Sequence, residues 1–241
     1  MLKLMYITNV PEIASIADGA GVDRIFIDLE RYGKEKRQKN WDSVKSKHSI
    51  SDIPKVKASV KNAQIFVRTD PVFDGFADEL EGVLACRPDV VMLPYFKTVR
   101  EVETFIKTVD GRARTSILLE TREAAELIDD IISVGGIDEI HIGLNDLSHS
   151  YGKKFLFEEL ADGTVDRLVE RFKAHGIESY GFGGIASLGG GLLPAEMILP
   201  EHYRLGSTCV ILSRAFCDAS KVGNIEEIRV SLIHISEPTR P

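Results

Sequence analysis

The sequence predicts an α/β chain folded as a single (β/α)8 barrel, and three observations predict it. Eight short apolar runs recur along 241 residues, helix-periodic segments lie between them, and no Pro/Gly/Ser-rich linker marks a domain boundary. The runs are Leu2 to Thr8, Arg24 to Leu29, Gln64 to Arg68, Val90 to Pro94, Thr115 to Glu120, Glu139 to Leu144, Glu178 to Phe182 and Thr208 to Leu212. Several are nearly unbroken Ile, Val, Leu and Phe, the pattern of parallel strands covered on both faces. Between them, Val99 to Val109 carries Val102, Phe105 and Ile106 at helical spacing, and Arg122 to Val134 carries Ala124, Leu127, Ile128 and Ile131. A doubly wound open sheet is the runner-up architecture.

Polar residues stand at the ends of these runs. Asp28 and Glu30 end the second, Arg68 the third, Pro94 and Tyr95 the fourth, Glu120 the fifth, and Asn145 with Asp146 the sixth. Gly183 and Gly184 follow the seventh, and Ser213 and Arg214 the eighth. A barrel gathers all of these around one mouth, the face where barrels keep their chemistry. Asp, Asn and Ser occupy such positions for helix capping alone. Capping does not account for an arginine and a glutamate closing strongly apolar strands. Glu120 and Asp146 sit on consecutive strand–helix units, and two carboxylates at one edge form a donor set for a hard divalent cation such as Mg²⁺.

Composition narrows the function classes. The chain is 44% hydrophobic and 28% charged with a formal charge of −7, which suits a globular protein and offers no basic stripe for nucleic acid or an anionic membrane. The densest basic stretch, Lys34 to Lys47, interleaves Glu35 and Asp42. Cys86, Cys209 and Cys217 have neither zinc-ligand nor redox spacing and read as reduced thiols. The N-terminus is too short and polar for a secretory signal, and no apolar stretch is long enough for a bilayer, so the expected address is cytoplasmic. The final residues, 231–241, resemble the translation of a sequencing-library transposon adapter. The expected native barrel domain is therefore residues 1–230, with the native C-terminus missing and assembly weakened.

Six segments carry a family resemblance: Phe26-Ile-Asp-Leu-Glu30, Phe66-Val-Arg-Thr-Asp70, Met92-Leu-Pro94, Leu118-Leu-Glu-Thr121, His141-Ile-Gly-Leu-Asn-Asp-Leu-Ser148 and Gly181-Phe-Gly-Gly184. In order and spacing they resemble the HpcH/HpaI aldolase and citrate lyase family, over nearly the whole native chain. The resemblance implies a TIM barrel that binds a divalent metal and makes or breaks a carbon–carbon bond next to a 2-oxo acid, or in a 3-hydroxyacyl-CoA thioester. It implies Glu120 and Asp146 as ligands of Mg²⁺ or Mn²⁺ and Arg68 beside the developing enolate oxygen. By the same resemblance, Asp28 and Glu30 complete the metal-water and proton-transfer shell, and a homo-oligomer forms through C-terminal helices. Backbone N–H groups around Leu144, Asn145 and Asp146 would hold the substrate carboxylate, as a helix start favours.

One position departs from the family pattern. Pyruvate aldolases of the family carry His after the Asp-x-Glu, whereas this chain has Arg31, which cannot act as a base near neutral pH. The expected replacement is His48, with His149 and a metal-bound hydroxide behind it. His202 and His141 read as structural. Arg31 reads instead as a substrate selector for a second anionic group, with the run Gly181 to Gly191 offering amides to it or only loop flexibility. The leading expectation is a metal-dependent aldolase acting on a 2-oxo acid and an aldehyde. The alternatives are a CoA-ester lyase and a non-catalytic barrel that binds a 2-oxo acid.

Overall fold

The computed structural model describes residues 2–33, 47–186 and 191–213. The tail at 231–241, Arg214, Cys217, most of the basic stretch and part of the glycine-rich run lie outside the described residues.

Eight parallel strands close into a barrel in sequence order: β1 (Lys3–Ile7), β2 (Arg24–Asp28), β3 (Gln64–Arg68), β4 (Val90–Leu93), β5 (Arg114–Leu119), β6 (Glu139–Ile142), β7 (Tyr180–Ile185) and β8 (Cys209–Leu212). Pairing of β1 with β8, Lys3 opposite Cys209, excludes the open sheet. Outside the strands run helices α1 (Pro11–Gly19), α2 (Asp52–Ser59), α3 (Phe76–Ala85), α4 (Val99–Val109), α5 (Arg122–Glu126), α6 (Ile128–Ser133), α7 (Leu144–Ser150), α8 (Glu158–Ala161), α9 (Thr164–Ala174) and α10 (Ala195–Leu205). Among the described residues no helix is long and apolar enough to cross a membrane.

Alternation along the strands divides the apolar residues into two cores. Ile25, Ile27, Val67, Val91, Ile117 and Ile140 belong to the layer between sheet and helices. Met5, Phe26, Phe66, Met92, Leu118 and Cys209 fill the barrel itself. At the lower end of that filling, Arg24 of β2 reaches across to Glu139 of β6 with two bonds of 2.6 Å. The same end is closed by a repeated device. Asp23, Asp89 and Asp138, each just before an even-numbered strand, accept the N–H of Leu4, Ile65 and Thr115 on the preceding strand. A strand-start N–H that lacks a ladder partner is thereby satisfied.

The helix read over Val99 to Val109 has those bounds, closed at its start by a capping box between Thr98 and Glu101. The segment Arg122 to Val134 is two helices, broken at Leu127, whose φ of −100° and ψ of 14° leave the helical region. The seventh strand begins at Tyr180 and continues through Gly183 and Gly184 to Ile185, with an irregularity between Gly181 and Gly184. Those glycines therefore lie inside the strand. At Gly181 a Cβ would stand 2.0 Å from the Cys209 carbonyl oxygen, so close approach of two backbones sets the residue type.

Candidate active site

The β2–β3 ladder builds the centre of the mouth. Asp28 and Arg68 are register partners at the upper ends of their strands. Arg68 Nε donates to Asp28 Oδ1 at 2.8 Å and Nη2 to Oδ2 at 2.7 Å, a fork-on-fork pair, while Glu30 Oε2 lies 3.5 Å from Nε. The guanidinium rests over the Phe26 ring at 5.4 Å from its centroid, so the apolar barrel filling supports it from below. Burial opposes its charge, but the negative charges of Asp28, Glu30 and Glu120 prevail and push its pKa up. Arg68 is thus a fixed cation whose position the barrel walls determine.

Glu120 follows β5 and is 4% exposed. Its Oε1 accepts the N–H of Tyr95 at 3.0 Å, and Tyr95 adopts a φ of +47° after Pro94 to present that N–H. On the other side, Gly143 closes β6, its N–H bonded to the Leu119 carbonyl at 3.0 Å. A Cβ at Gly143 would lie 2.8 Å from both Cβ and Oε2 of Glu120, so the missing side chain is the space this carboxylate occupies. Asp146 stands half-buried in the first turn of α7, three residues beyond Gly143, with Leu144 buried and Asn145 exposed beside it. The first N–H groups of a helix lack carbonyl partners one turn earlier, which suits the carboxylate-binding role assigned to 144–146.

Glu120 and Asp146 offer hard oxygen donors from adjacent strand–helix units, and the Gly143 cradle leaves Glu120 room at the mouth. That donor chemistry fits Mg²⁺ or Mn²⁺. Among the described residues no group of three or more His, Cys, Asp or Glu side chains is placed to hold a metal.

The structure brings Asp28, Glu30, Arg68 and Glu120 together around one guanidinium. His48 joins them, since its Nδ1 accepts the N–H of Asp28 at 3.0 Å. In the neutral form, an imidazole that accepts at Nδ1 carries its proton on Nε2. Arg31 is exposed and donates from Nη2 to the His48 carbonyl. Arg31 and His48 line a cavity of about 390 Å³ with Leu29, Ser49, Ser51, Asp70 and Glu79. His149 is exposed in the last turn of α7.

His141 and His202 are structural, as read. His141 lies inside the barrel with Nε2 2.9 Å from the Gly183 carbonyl oxygen, and burial pulls its pKa down to about 4. His202 stacks on Phe182 at 3.9 Å, with burial and then His141 pulling it down to about 3. The Cys209 thiol is pushed up to about 12 by burial and by the nearby Glu139 charge, which makes it inert. Sequence reasoning missed the Tyr95 N–H, the Gly143 cradle and the Asp70 and Glu79 side chains. Only Gly143 left a signal, as a glycine between a strand and an acidic helix start.

The family model described as HpcH/HpaI aldolase/citrate lyase matches residues 3–182. Among solved structures, the chain is similar to an HpcH/HpaI aldolase/citrate lyase family protein from Burkholderia cenocepacia J2315. The TM-score is 0.69 at 13% identity, covering 95% of this chain and 94% of that one. It is similar to the HpcH/HpaI aldolase from Desulfitobacterium hafniense DCB-2, with TM-score 0.69 at 15% identity, covering 100% of this chain and 95% of that one. It is also similar to the citrate lyase beta subunit of M. tuberculosis solved with oxaloacetate and magnesium, with TM-score 0.61, 17% identity and 96% coverage of each chain. At these identities the likeness establishes the barrel. Among curated proteins no sequence matches the chain.

Proposed function

Because the chain belongs to the HpcH/HpaI aldolase/citrate lyase family, whose members are aldolases and lyases, we propose that it is a divalent-metal-dependent carbon–carbon lyase of the aldolase type. Its substrates are a 2-oxo acid and an aldehyde, joined or parted through an enolate. The observation that carries this reading is the forked Arg68–Asp28 pair at the barrel mouth beside Glu120 in its glycine cradle.

Mg²⁺ or Mn²⁺ held by Glu120 and Asp146 would supply Lewis-acid charge beside the oxygen that becomes the enolate. Arg68 supplies permanent positive charge there. Its fork spends two N–H donors on Asp28 and keeps the others for a carboxylate or carbonyl oxygen. A charge already in place needs no reorganisation when the enolate forms. Both oxygens of Asp28 are committed to Arg68, and Oδ1 also accepts the Glu30 N–H at 3.2 Å, which directs the proton-transfer role to Glu30. His48, donor-oriented by the Asp28 N–H, holds the aldehyde oxygen, and Arg31 at the rim of the same cavity binds the far end of that substrate. The N–H groups of Leu144, Asn145 and Asp146 receive the 2-oxo acid carboxylate. A cytoplasmic address, supported by the thiols without redox spacing, belongs to the same proposal, as does homo-oligomeric assembly, which rests on the family alone.

The test is deuterium exchange of the pyruvate methyl group in D₂O with Mg²⁺ or Mn²⁺. Exchange that Arg68→Ala or Glu120→Ala abolishes is the expected result. Pyruvate binding without exchange overturns the catalytic reading, and the absence of metal binding overturns the metal site.

A further inference from the structure

Beside the mouth, the chain carries a pair of acidic side chains that the lyase reading leaves unused. The loop that follows β2 lies on the loop that follows β3. Leu29 N–H bonds to the Arg68 carbonyl at 2.9 Å. Asp70 Oδ1 then accepts two successive N–H groups, from Arg31 at 2.5 Å and Tyr32 at 2.7 Å. The Tyr32 ring stacks on Phe73 at 4.8 Å. Glu30, the acid assigned to proton transfer, sits between the Leu29 and Arg31 anchors. Asp70 is itself held from behind, its N–H donating to Glu79 Oε1 of α3 at 3.1 Å.

We propose that Glu79 is a positioning residue for Glu30 and Arg31, acting through Asp70, whose N–H it accepts and whose carboxylate stands beside its own carboxyl, so that the loop after β2 stays fixed. The proposal rests on the lyase reading for the role of Glu30, and on the contacts above for the clamp. Burial makes the charged form of Glu79 costly, so Glu79 is the member of the pair that holds a proton. Burial pushes the Glu79 pKa up, the Asp70 N–H opposes this, and the Asp70 charge and hydrogen bond push it further, to about 7. Facing the pair are Arg31 from the loop after β2, whose charge pulls Glu79 down, and His48 from the segment before α2. When the proton of Glu79 leaves for solvent, two carboxylates stand side by side. Asp70 is then repelled from its seat and the two N–H anchors loosen. The clamp is therefore closed below pH 7 and opens as pH rises through it.

Solvent exchange of the Arg31 and Tyr32 amides, followed by NMR from pH 6 to pH 8 and corrected for the intrinsic rates, needs no substrate. The expected result is about a tenfold loss of protection over that range in the wild-type protein. Glu79→Gln keeps both an acceptor for the Asp70 N–H and a donor to its carboxylate, so its protection stays flat. Equal pH dependence in both proteins overturns the proposal, as does protection that never changes in the wild type. In the pyruvate exchange assay, kcat of the wild type falls above pH 7 and that of Glu79→Gln does not. Amides that behave as expected in a protein without pyruvate exchange leave the clamp standing and sink the lyase reading alone.

Discussion

Gly143→Ala tests the geometry of the mouth with one added methyl group. Its φ of −83° is open to alanine, so the substitution adds no backbone strain. The new Cβ would lie 2.8 Å from Cβ and Oε2 of Glu120 and 3.3 Å from Leu118 Cδ1. Carbon contacts are comfortable at roughly 3.5 Å, so Glu120 must retreat by about 0.7 Å. The backbone cannot absorb this easily, because Gly143 N–H is tied to the Leu119 carbonyl one residue before Glu120. The two strand ends must part and the Glu120 carboxylate must turn, which together cost the Tyr95 N–H. A misplacement of this size costs roughly 10–100-fold in a positioned reaction, and the overpacking costs about 1–3 kcal/mol of stability. Calorimetric titration with Mn²⁺, pyruvate exchange in D₂O and urea unfolding read the three effects. Gly19→Ala, where a Cβ meets nothing within 4 Å, is the control. Unchanged Mn²⁺ affinity and exchange rate in Gly143→Ala would refute the assignment of Glu120 to the metal.

Arg24→Met leaves the buried Glu139 carboxylate with the half-exposed Arg114, 3.4 Å away, as its cation partner among the described residues, and is expected to cost about 3 kcal/mol in urea unfolding, whereas Arg24→Met with Glu139→Leu recovers most of it. Equal losses in single and double variants would show that packing, not charge, sets the cost. His141 and His202 titrate in the folded barrel at about 4 and about 3. The unfolded chain binds their protons from about pH 6.5 downward, so stability falls as pH drops below that value, by up to about 1.4 kcal/mol per pH unit for each ring. His202→Phe keeps the stack on Phe182 and is expected to flatten part of that slope between pH 6.5 and 4.5. An unaltered slope places the acid sensitivity elsewhere.

The sequence spoke clearly wherever a single local rule dominated. Val102 and Phe105 recur at helical spacing, and both are buried against the barrel in the helix read for them. Asp28, Arg68 and Glu120 stood out because a charge closing an apolar strand is costly to bury unless a partner or a ligand holds it. Leu127 hid the helix break, since the apolar spacing runs on through a residue whose backbone departs from the helix. Gly183 and Gly184 looked like a strand terminator. Tertiary packing overrode that propensity, because Gly183 takes a φ of +51° and its Cβ would strike Leu144. His48 was legible as a residue near the mouth, but the N–H that fixes its tautomer comes from a strand end twenty residues earlier. Asp70 and Glu79 gave no local signal, since their meaning lies in contacts between a loop and a helix.

The bond between Asp28 and Arg68 spans two neighbouring strands at a register position that the barrel closure itself dictates. The loops above can therefore drift in sequence while the cation beneath them stays put. Arg31, one residue past Glu30 and anchored among the described residues through its backbone to Asp70 and through Nη2 to the His48 carbonyl, is free of that duty. Selection or engineering can trade its side chain to suit a new aldehyde without rebuilding the reactive centre. Libraries aimed at substrate range belong at Arg31, Ser49 and Ser51, and those aimed at Arg68 will return mostly dead proteins.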